Sequence, residues 1–424
     1  MTYDHQRAER ALASPVVPAF QPIVDLTTSA TVGYEALSRW PAEPDASPLE
    51  VFDHARRSGR IAELDWACRR AAVVASLREG LVRPLSVFIN VEPTALGTSP
   101  TWHFPGDRFR EITSNDLQII IELTERDVLA NPAAVMATID WARERDCGIA
   151  LDDVGPNPES LALLPLILPD VVKLDRRIIT DPTAPGSDDT VSFVIDYAAE
   201  TGARILAEGI EDDGDIAVAR SVGATLGQGF LLGRPGDPPA DAPIADERHM
   251  IRAFPAGPPP LQAPADILDR LPSQVIDHAT IMRVFDTVTS LGDELITPGC
   301  MVVAVQNADA FATRFGHQYA DFARKHTLVG VVGAGEFDVP GVRGPISPHS
   351  GFPRQFALAI LTQNYAATIV AKDLGDSGPL ARRRYAWYYT HDRSAVRDVA
   401  RCIVSRLAPR SSPTPTPVSA TPTQ

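Results

Sequence analysis

Cysteine is scarce in this 424-residue sequence: Cys68, Cys147, Cys300 and Cys402 stand far apart, and none belongs to a C-x-x-C pair. That excludes a disulfide framework and a clustered-thiol zinc site, and it suits reduced thiols in a cytosolic protein. Long apolar runs are missing too. The most apolar stretch, Leu161–Leu174, is broken by Pro165, Pro169 and Asp170 and cannot span a bilayer. The opening residues, Met1–Arg10, are polar and lack the apolar core of a secretory signal. Basic charge is in deficit: 39 Lys and Arg against 54 Asp and Glu leave a net charge of −15. Such a field repels phosphate backbones and anionic lipid, which argues against nucleic acid and membrane insertion. The expectation is a soluble, cytoplasmic protein. An anionic substrate would need local cations, either metal ions or a few placed lysines and arginines.

The length is too great for one ordinary core, so two domains are expected. After an N-terminal extension (residues 1–16), residues 17–235 alternate between strand and helix patterns. Near-continuous apolar runs such as VFINV and IIIEL suit strands buried on both faces of a parallel sheet. Ser47-Pro48 and Asn131-Pro132 read as helix starts, and Gly202 as a helix stop. Eight such strands with intervening helices predict an α/β fold, a (β/α)8 TIM-like barrel. Residues 236–266 are too rich in proline for a helix or central strand and read as a linker. Periodicity returns over residues 267–407, a second, smaller α/β domain. Residues 408–424, APRSSPTPTPVSATPTQ, have the composition of a disordered tail.

Chemistry-bearing residues recur at one end of successive barrel strands: Glu35, Asn90, Glu122, Asp152 with Asp153, Lys173, Glu208 with Glu211, and Gln228. Each has an ordinary explanation alone, as a solvated strand end, a turn former or a surface ion pair. Together they do not, because independent surface residues need not recur at the same end of strand after strand. In a (β/α)8 barrel those ends converge on the face where active sites sit. Several carboxylates there cannot all ionise without cations between them. Carboxylates with an Asn amide are hard oxygen ligands that favour Mg2+ or Mn2+ over zinc. Two such ions would suit displacement at phosphorus, with a lysine beside them for the developing charge. Arg39 could pair with a phosphate.

These residues lie in segments that resemble EAL-domain cyclic di-GMP phosphodiesterases: FQPIVDL through YEALSRW (Phe20–Trp40), FINVEP, IELTE, LDDVG, VKLD, AEGIE and GQGFLLGRP. The resemblance covers residues 17–235, with the motifs in order. It implies an EAL-type barrel that hydrolyses cyclic di-GMP to linear pGpG with two ions, Mg2+ or Mn2+. Glu35, Asn90, Glu122 and Asp152 would hold the first ion, and Asp152 with Asp153 the second. Lys173 would position the attacking water and Glu208 would act as base or hold a bound water. Gln21, Leu37, Arg39 and Gln228 would contact the nucleotide. Glu125 would anchor the loop after Asp153, and Asp175 and Glu211 would support the ligands from behind. A homodimer through the barrel is also implied.

The sequence departs from the family pattern after Asp153. The chain reads Val154-Gly155-Pro156-Asn157-Pro158-Glu159, a Pro-Asn-Pro in place of a flexible Gly-Thr-Gly, and the two prolines stiffen that loop. Two readings follow: an active enzyme with a stiffer gate, favoured by the complete ligand set, or a weak or inactive cyclic di-GMP receptor. Residues 271–407 resemble, less specifically, a DICT sensory domain. That implies regulatory input through a ligand or signalling partner. Within this region Gly330, Gly333 and Gly335 read as a glycine-rich loop. Tyr385, Trp387 and Tyr389 read as one strand face used for core packing.

Overall fold

A computed structural model of the chain describes residues 5–95, 116–155, 161–255, 257–295 and 297–410. Thus the loop expected to be stiffened, 156–160, and the tail from 411 lie outside the described residues. A short helix, α1 (His5–Leu12), precedes the barrel and was not expected from the sequence. It buries Ala11 and Leu12 against Trp40, Val51 and Leu64, so this extension is packed.

The barrel strands are β1 (Val17–Asp25), β2 (Thr31–Arg39), β3 (Ser86–Asn90), β4 (Gln118–Thr124), β5 (Gly148–Val154), β6 (Val171–Leu174), β7 (Arg204–Ala207) and β8 (Leu226–Gly227). They close in chain order. Strands β2 to β8 are mutually parallel, but β1 runs antiparallel to both β2 and β8. This departs from plain β/α alternation for a simple reason. Only residues 26–30 separate β1 from β2, and a parallel crossover needs a dozen or more residues.

Around the strands lie α2 (Pro48–Arg57), α3 (Ile61–Arg78), α4 (Glu125–Ala130), α5 (Pro132–Arg143), α6 (Leu164–Ile167), α7 (Arg176–Thr180), α8 (Ser187–Thr201) and α9 (Asp213–Ser221). Asn131 caps α5 through Ala134, and Gly202 ends α8 in the left-handed conformation at φ 81°. Ser47 occupies the N-cap of α2 with Pro48 behind it, but its side chain makes no capping bond.

The residues after β8 do more than connect. Gly236 and Ile244 bridge to Phe20 and Thr31, and Ala245 and Ile251 pack on the inner apolar layer. This proline-rich segment therefore covers the barrel floor. Its end is fixed by Asp170, a buried carboxylate that accepts from Arg143 Nη1 at 2.6 Å, Ile149 N at 2.6 Å and Phe254 N. Asp170→Ala would leave Arg143 and two amides without their acceptor. A loss of about 3–5 kcal/mol is expected, measurable as a lower urea midpoint; an unchanged midpoint would show that Asp170 is dispensable.

The second sheet has the order β11-β10-β12-β13-β14-β9. Its members are β9 (Gln274–Asp277), β10 (Gly299–Asn307), β11 (Leu328–Ala334), β12 (Gln355–Thr362), β13 (Ala366–Asp373) and β14 (Arg384–Thr390). Of these, the edge strand β9 was not expected from the sequence. Helices α10 (His278–Glu294) and α11 (Ala308–Phe322) cover one face through Phe285, Phe311, Tyr319 and Phe322. Helix α12 (Arg393–Val404) packs its apolar side, Val396, Val399 and Ile403, on the other. The remaining side of α12 meets the barrel. Arg401 Nη2 donates to Asp140 Oδ1 on α5 at 2.6 Å, and Nη1 to the Leu166 carbonyl on α6 at 3.3 Å. Arg343 and the Arg410 amide donate to the carbonyls of Leu129 and Ala130 at the end of α4.

In this sheet Tyr385, Trp387 and Tyr389 pack into the core, as the alternation suggests. Gly335 takes φ 101°, beside Asp309 where a side chain would not fit, and no helix follows β11.

Candidate active site

Strand alternation builds the site. Residues two apart share a face, and in β3 to β8 the pairs are Phe88/Asn90, Ile120/Glu122, Ala150/Asp152, Val171/Lys173, Leu206/Glu208 and Leu226/Gln228. The first of each pair belongs to one buried apolar cluster inside the barrel. The second therefore stands one layer higher, toward the C-terminal mouth. Strand β1 obeys the same rule in reverse: Ile23 is in the apolar layer and Gln21, two residues earlier, is above it. Glu35 pairs with Gln21 across the β1–β2 ladder and joins the same layer.

Lys173 lies at the centre of that layer and is 1% exposed. Its Nζ is 2.6 Å from Glu122 Oε1, 2.9 Å from Glu208 Oε1, 3.0 Å from Asp152 Oδ1 and 3.5 Å from Glu35 Oε2. Asn90 Nδ2 donates to Glu35 Oε1 at 3.1 Å and to Glu122 Oε2 at 2.8 Å. Gln228 Nε2 donates to Glu35 Oε2 at 2.7 Å and to Gln21 Oε1 at 3.2 Å. Gln21 is held in turn by the Gly233 carbonyl. The ligands expected for the first ion and the lysine are thus one hydrogen-bonded group.

One ammonium cannot neutralise four carboxylates, and the ionisation equilibria show it. Burial pushes Glu122 well above the usual carboxylate range, helped by Glu35 and opposed by Lys173. Glu208 is pushed up to about 8 by burial, against Lys173 and with Asp152 and Glu35 adding to the shift. Burial alone would raise Glu35, but Lys173 and the Gln228 hydrogen bond outweigh it and hold the carboxyl low. Burial would lower Lys173, yet Asp152, Glu122, Glu208 and Glu35 together raise it well above its ordinary value.

Asp152 and Asp153 would point to opposite faces of a regular strand. Asp153 instead takes φ 59°, left-handed, at a break in the β5–β6 register. Aspartate tolerates this conformation better than most residues. As a result, carboxylate oxygens of Asp152, Asp153 and Glu208 all lie within 4.8 Å of one another. Burial raises Asp153, with Asp152 and Asp175 adding to it. Three convergent carboxylates of this kind fit a hard divalent cation. The Glu35–Asn90–Glu122–Asp152 group fits one as well, with one adjustment: Asn90 now turns its amide nitrogen toward the carboxylates and would present its oxygen after a flip.

Beside the carboxylates opens a cavity of about 270 Å3 bordered by Gln21, Leu37, Glu208, Gln228, Arg176 and Phe230. Leu37 is one of its lining residues. Arg39 is not among the lining residues; its Nη1 donates to the Ser38 carbonyl. Asp175 caps α7 and pairs with Arg177 at 2.9 Å, and Glu211 pairs with Arg176 at 2.9 Å. Glu211 thus stands at the cavity rim, whereas Asp175 is not among the lining residues. The side chain of Glu125 lies outside the described residues; its backbone opens α4.

Sequence reasoning missed Arg176 and Phe230. Arg176 supplies a cation at the cavity wall, and Gly209, at φ 69°, leaves it room because any side chain there would collide with it. Phe230 is 50% exposed with Arg234 stacked on it at 4.1 Å, a flat face at a polar rim. The available signal was position, since each follows a recognised motif residue by a few places.

Among the described residues no helix is long and apolar enough to cross a membrane. Comparison with known proteins places residues 5–235 in the EAL domain family. The cyclic di-GMP phosphodiesterase PA2567 of Pseudomonas aeruginosa is 31% identical over 225 residues, covering 51% of this chain and 38% of that protein. The cyclic di-GMP phosphodiesterase RocR of the same species is 26% identical over 220 residues, covering 51% and 56%. The chain thus spans less than two thirds of either relative. A solved structure of Klebsiella pneumoniae BlrP1 with manganese and cy-diGMP is 27% identical, with a TM-score of 0.45 over 53% of this chain and 56% of that one. With its match running from α1 through the residues after β8, more than half its length, the chain belongs to the EAL domain family.

Proposed function

We propose that this chain hydrolyses cyclic di-GMP to the linear dinucleotide, using Mg2+ or Mn2+. The observation that carries the reading is the Lys173-centred group of Glu35, Asn90, Glu122, Asp152 and Glu208 at the barrel mouth. The names of the family relatives supply the substrate. Divalent cations held by these carboxylates would lower the pKa of water and offset charge on the phosphodiester. Water adds to phosphorus, one P–O3′ bond breaks, and the products are a 5′-phosphate and a free 3′-hydroxyl. Lys173 holds its proton throughout and stabilises charge by position. Glu208, about one-fifth exposed at its side chain, is the carboxylate best placed to accept a proton from solvent. Arg176 faces the same cavity as a phosphate partner. Incubation of cyclic di-GMP with the full chain and Mn2+ should yield the linear product by chromatography, and EDTA should stop it. Intact substrate under both metals would overturn the reading; binding without conversion would move the protein to the receptor class.

The second sheet domain is proposed to regulate this site. It grips the carbonyl ends of α4 and α6, the helices that follow β4 and β5, and those strands carry Glu122, Asp152 and Asp153. Arg401→Ala removes the bond to Leu166 and leaves Asp140 unpaired. Backbone amides of α6 are expected to exchange with deuterium about tenfold faster, while those of β6 and β7 do not change. Equal exchange in the variant would show that the contact does not hold α6.

A further inference from the structure

The seam between barrel and second sheet is not fully packed. A cavity of about 340 Å3 lies between α5, α6, the proline-rich segment and α12, and a smaller one of about 150 Å3 lies beside it against α8. Leu168 and Arg397 line both. The larger cavity has apolar walls, among them Met136, Ile139, Ile167, Phe254 and Leu261. Its size falls at the lower end of ligand pockets, which run from about 300 Å3 upward.

The sequence of α12 explains the polar side. Arg393, Arg397 and Arg401 recur at every fourth position and so share one helix face. The outer two are engaged: Arg393 Nη2 donates to the Thr362 carbonyl at 3.0 Å, and Arg401 holds Asp140 and Leu166. Arg397, partly buried between them, makes no hydrogen bond or ion pair among the described residues. The other charged groups of the larger cavity are matched. Arg143 pairs with Asp170, Asp140 with Arg401, Glu144 with Arg145 at 3.4 Å, and Asp398 with Arg270 at 3.9 Å. One guanidinium with a planar donor fork therefore lines an apolar pocket with no hydrogen-bonded or ion-paired partner among the described residues, acting on the adjacent Asp398 only through space, and a carboxylate is its natural partner. At the smaller cavity the exposed Asp196 and Glu200 add negative charge, which disfavours multiply charged anions such as phosphate.

We propose that this seam cavity binds a small amphiphilic monocarboxylate, its carboxylate on Arg397 and its apolar body against Met136, Ile139 and Ile167. The site is distinct from the barrel mouth and does not depend on the phosphodiesterase reading, because binding is measured without nucleotide. A ligand there touches α5, α6 and α12 together, so its occupancy tightens the contact between the two parts of the chain.

Calorimetric titration of the full chain with octanoate tests the proposal, with inorganic phosphate as a second probe. Saturable binding of one octanoate per chain is expected, weakened about tenfold or more in Arg397→Gln and less in Arg397→Lys, with phosphate producing no saturable heat. Deuterium exchange of the wild-type chain supplies a readout that needs no variant: octanoate should slow the amides of α6 and α12. No saturable heat with octanoate, equal affinity in Arg397→Gln, or binding that leaves those amides unchanged would each overturn the proposal.

Discussion

Lys173→Met is expected to destabilise the metal-free protein by about 3–5 kcal/mol. The methionine keeps most of the stem volume, so the change is chiefly one of charge. Four carboxylates lie within 3.5 Å of Nζ, and this ammonium is the cation they share. Without it, Glu122 and Glu35 are buried acids with only Asn90 and Gln228 as donors. Protonation softens the loss at low pH. Glu208 titrates at about 8 in the folded chain against an ordinary 4.5, so between those values the folded state holds more protons than the unfolded one. Its contribution to stability therefore falls as pH rises through that window. The variant should lose more at pH 9 than at pH 6. Added Mn2+ should restore part of the loss, because binding to the folded state stabilises it by mass action. Urea unfolding in EDTA, at both pH values and then with Mn2+, reads all three effects; a variant as stable as wild type in EDTA would refute the electrostatic account.

Glu35→Ala should reduce turnover of cyclic di-GMP by about 10^3-fold, a transition-state loss of roughly 4 kcal/mol. Glu35 is the hub of the amide network, accepting from Asn90 through one oxygen and from Gln228 through the other. Its removal takes away one proposed cation ligand and frees the amides of Asn90 and Gln228, the second of which borders the cavity. Stability should suffer less than with Lys173→Met, because one buried acid is lost and the lysine gains relative charge balance. A variant within about tenfold of wild type, by single-turnover chromatography, would place Glu35 outside the chemistry.

Much of this site is legible in the primary structure because strand periodicity is local. Phe88 and Asn90, Ile120 and Glu122, or Val171 and Lys173 are two apart, and that spacing alone assigns an apolar floor and a polar layer above it. The parts that escaped depend on longer-range geometry. The reversed β1 follows from the short turn at residues 26–30, which periodicity does not register. Asp153 joins its neighbour only through a left-handed backbone. Arg176 faces the cavity because Gly209, far along the chain, leaves it room. The proline-rich residues after β8 lack any periodic pattern, yet Ala245 and Ile251 cover the barrel floor. Arg39, a phosphate partner by spacing, donates here to the carbonyl of Ser38, a local contact that spacing does not register.

The most direct test compares wild type and Glu35→Ala side by side with cyclic di-GMP and Mn2+, both shown to be folded by thermal unfolding. Conversion to the linear dinucleotide by wild type alone is the expected result. Equal conversion by both, or by neither, would contradict a catalytic centre built on the Lys173 carboxylate group.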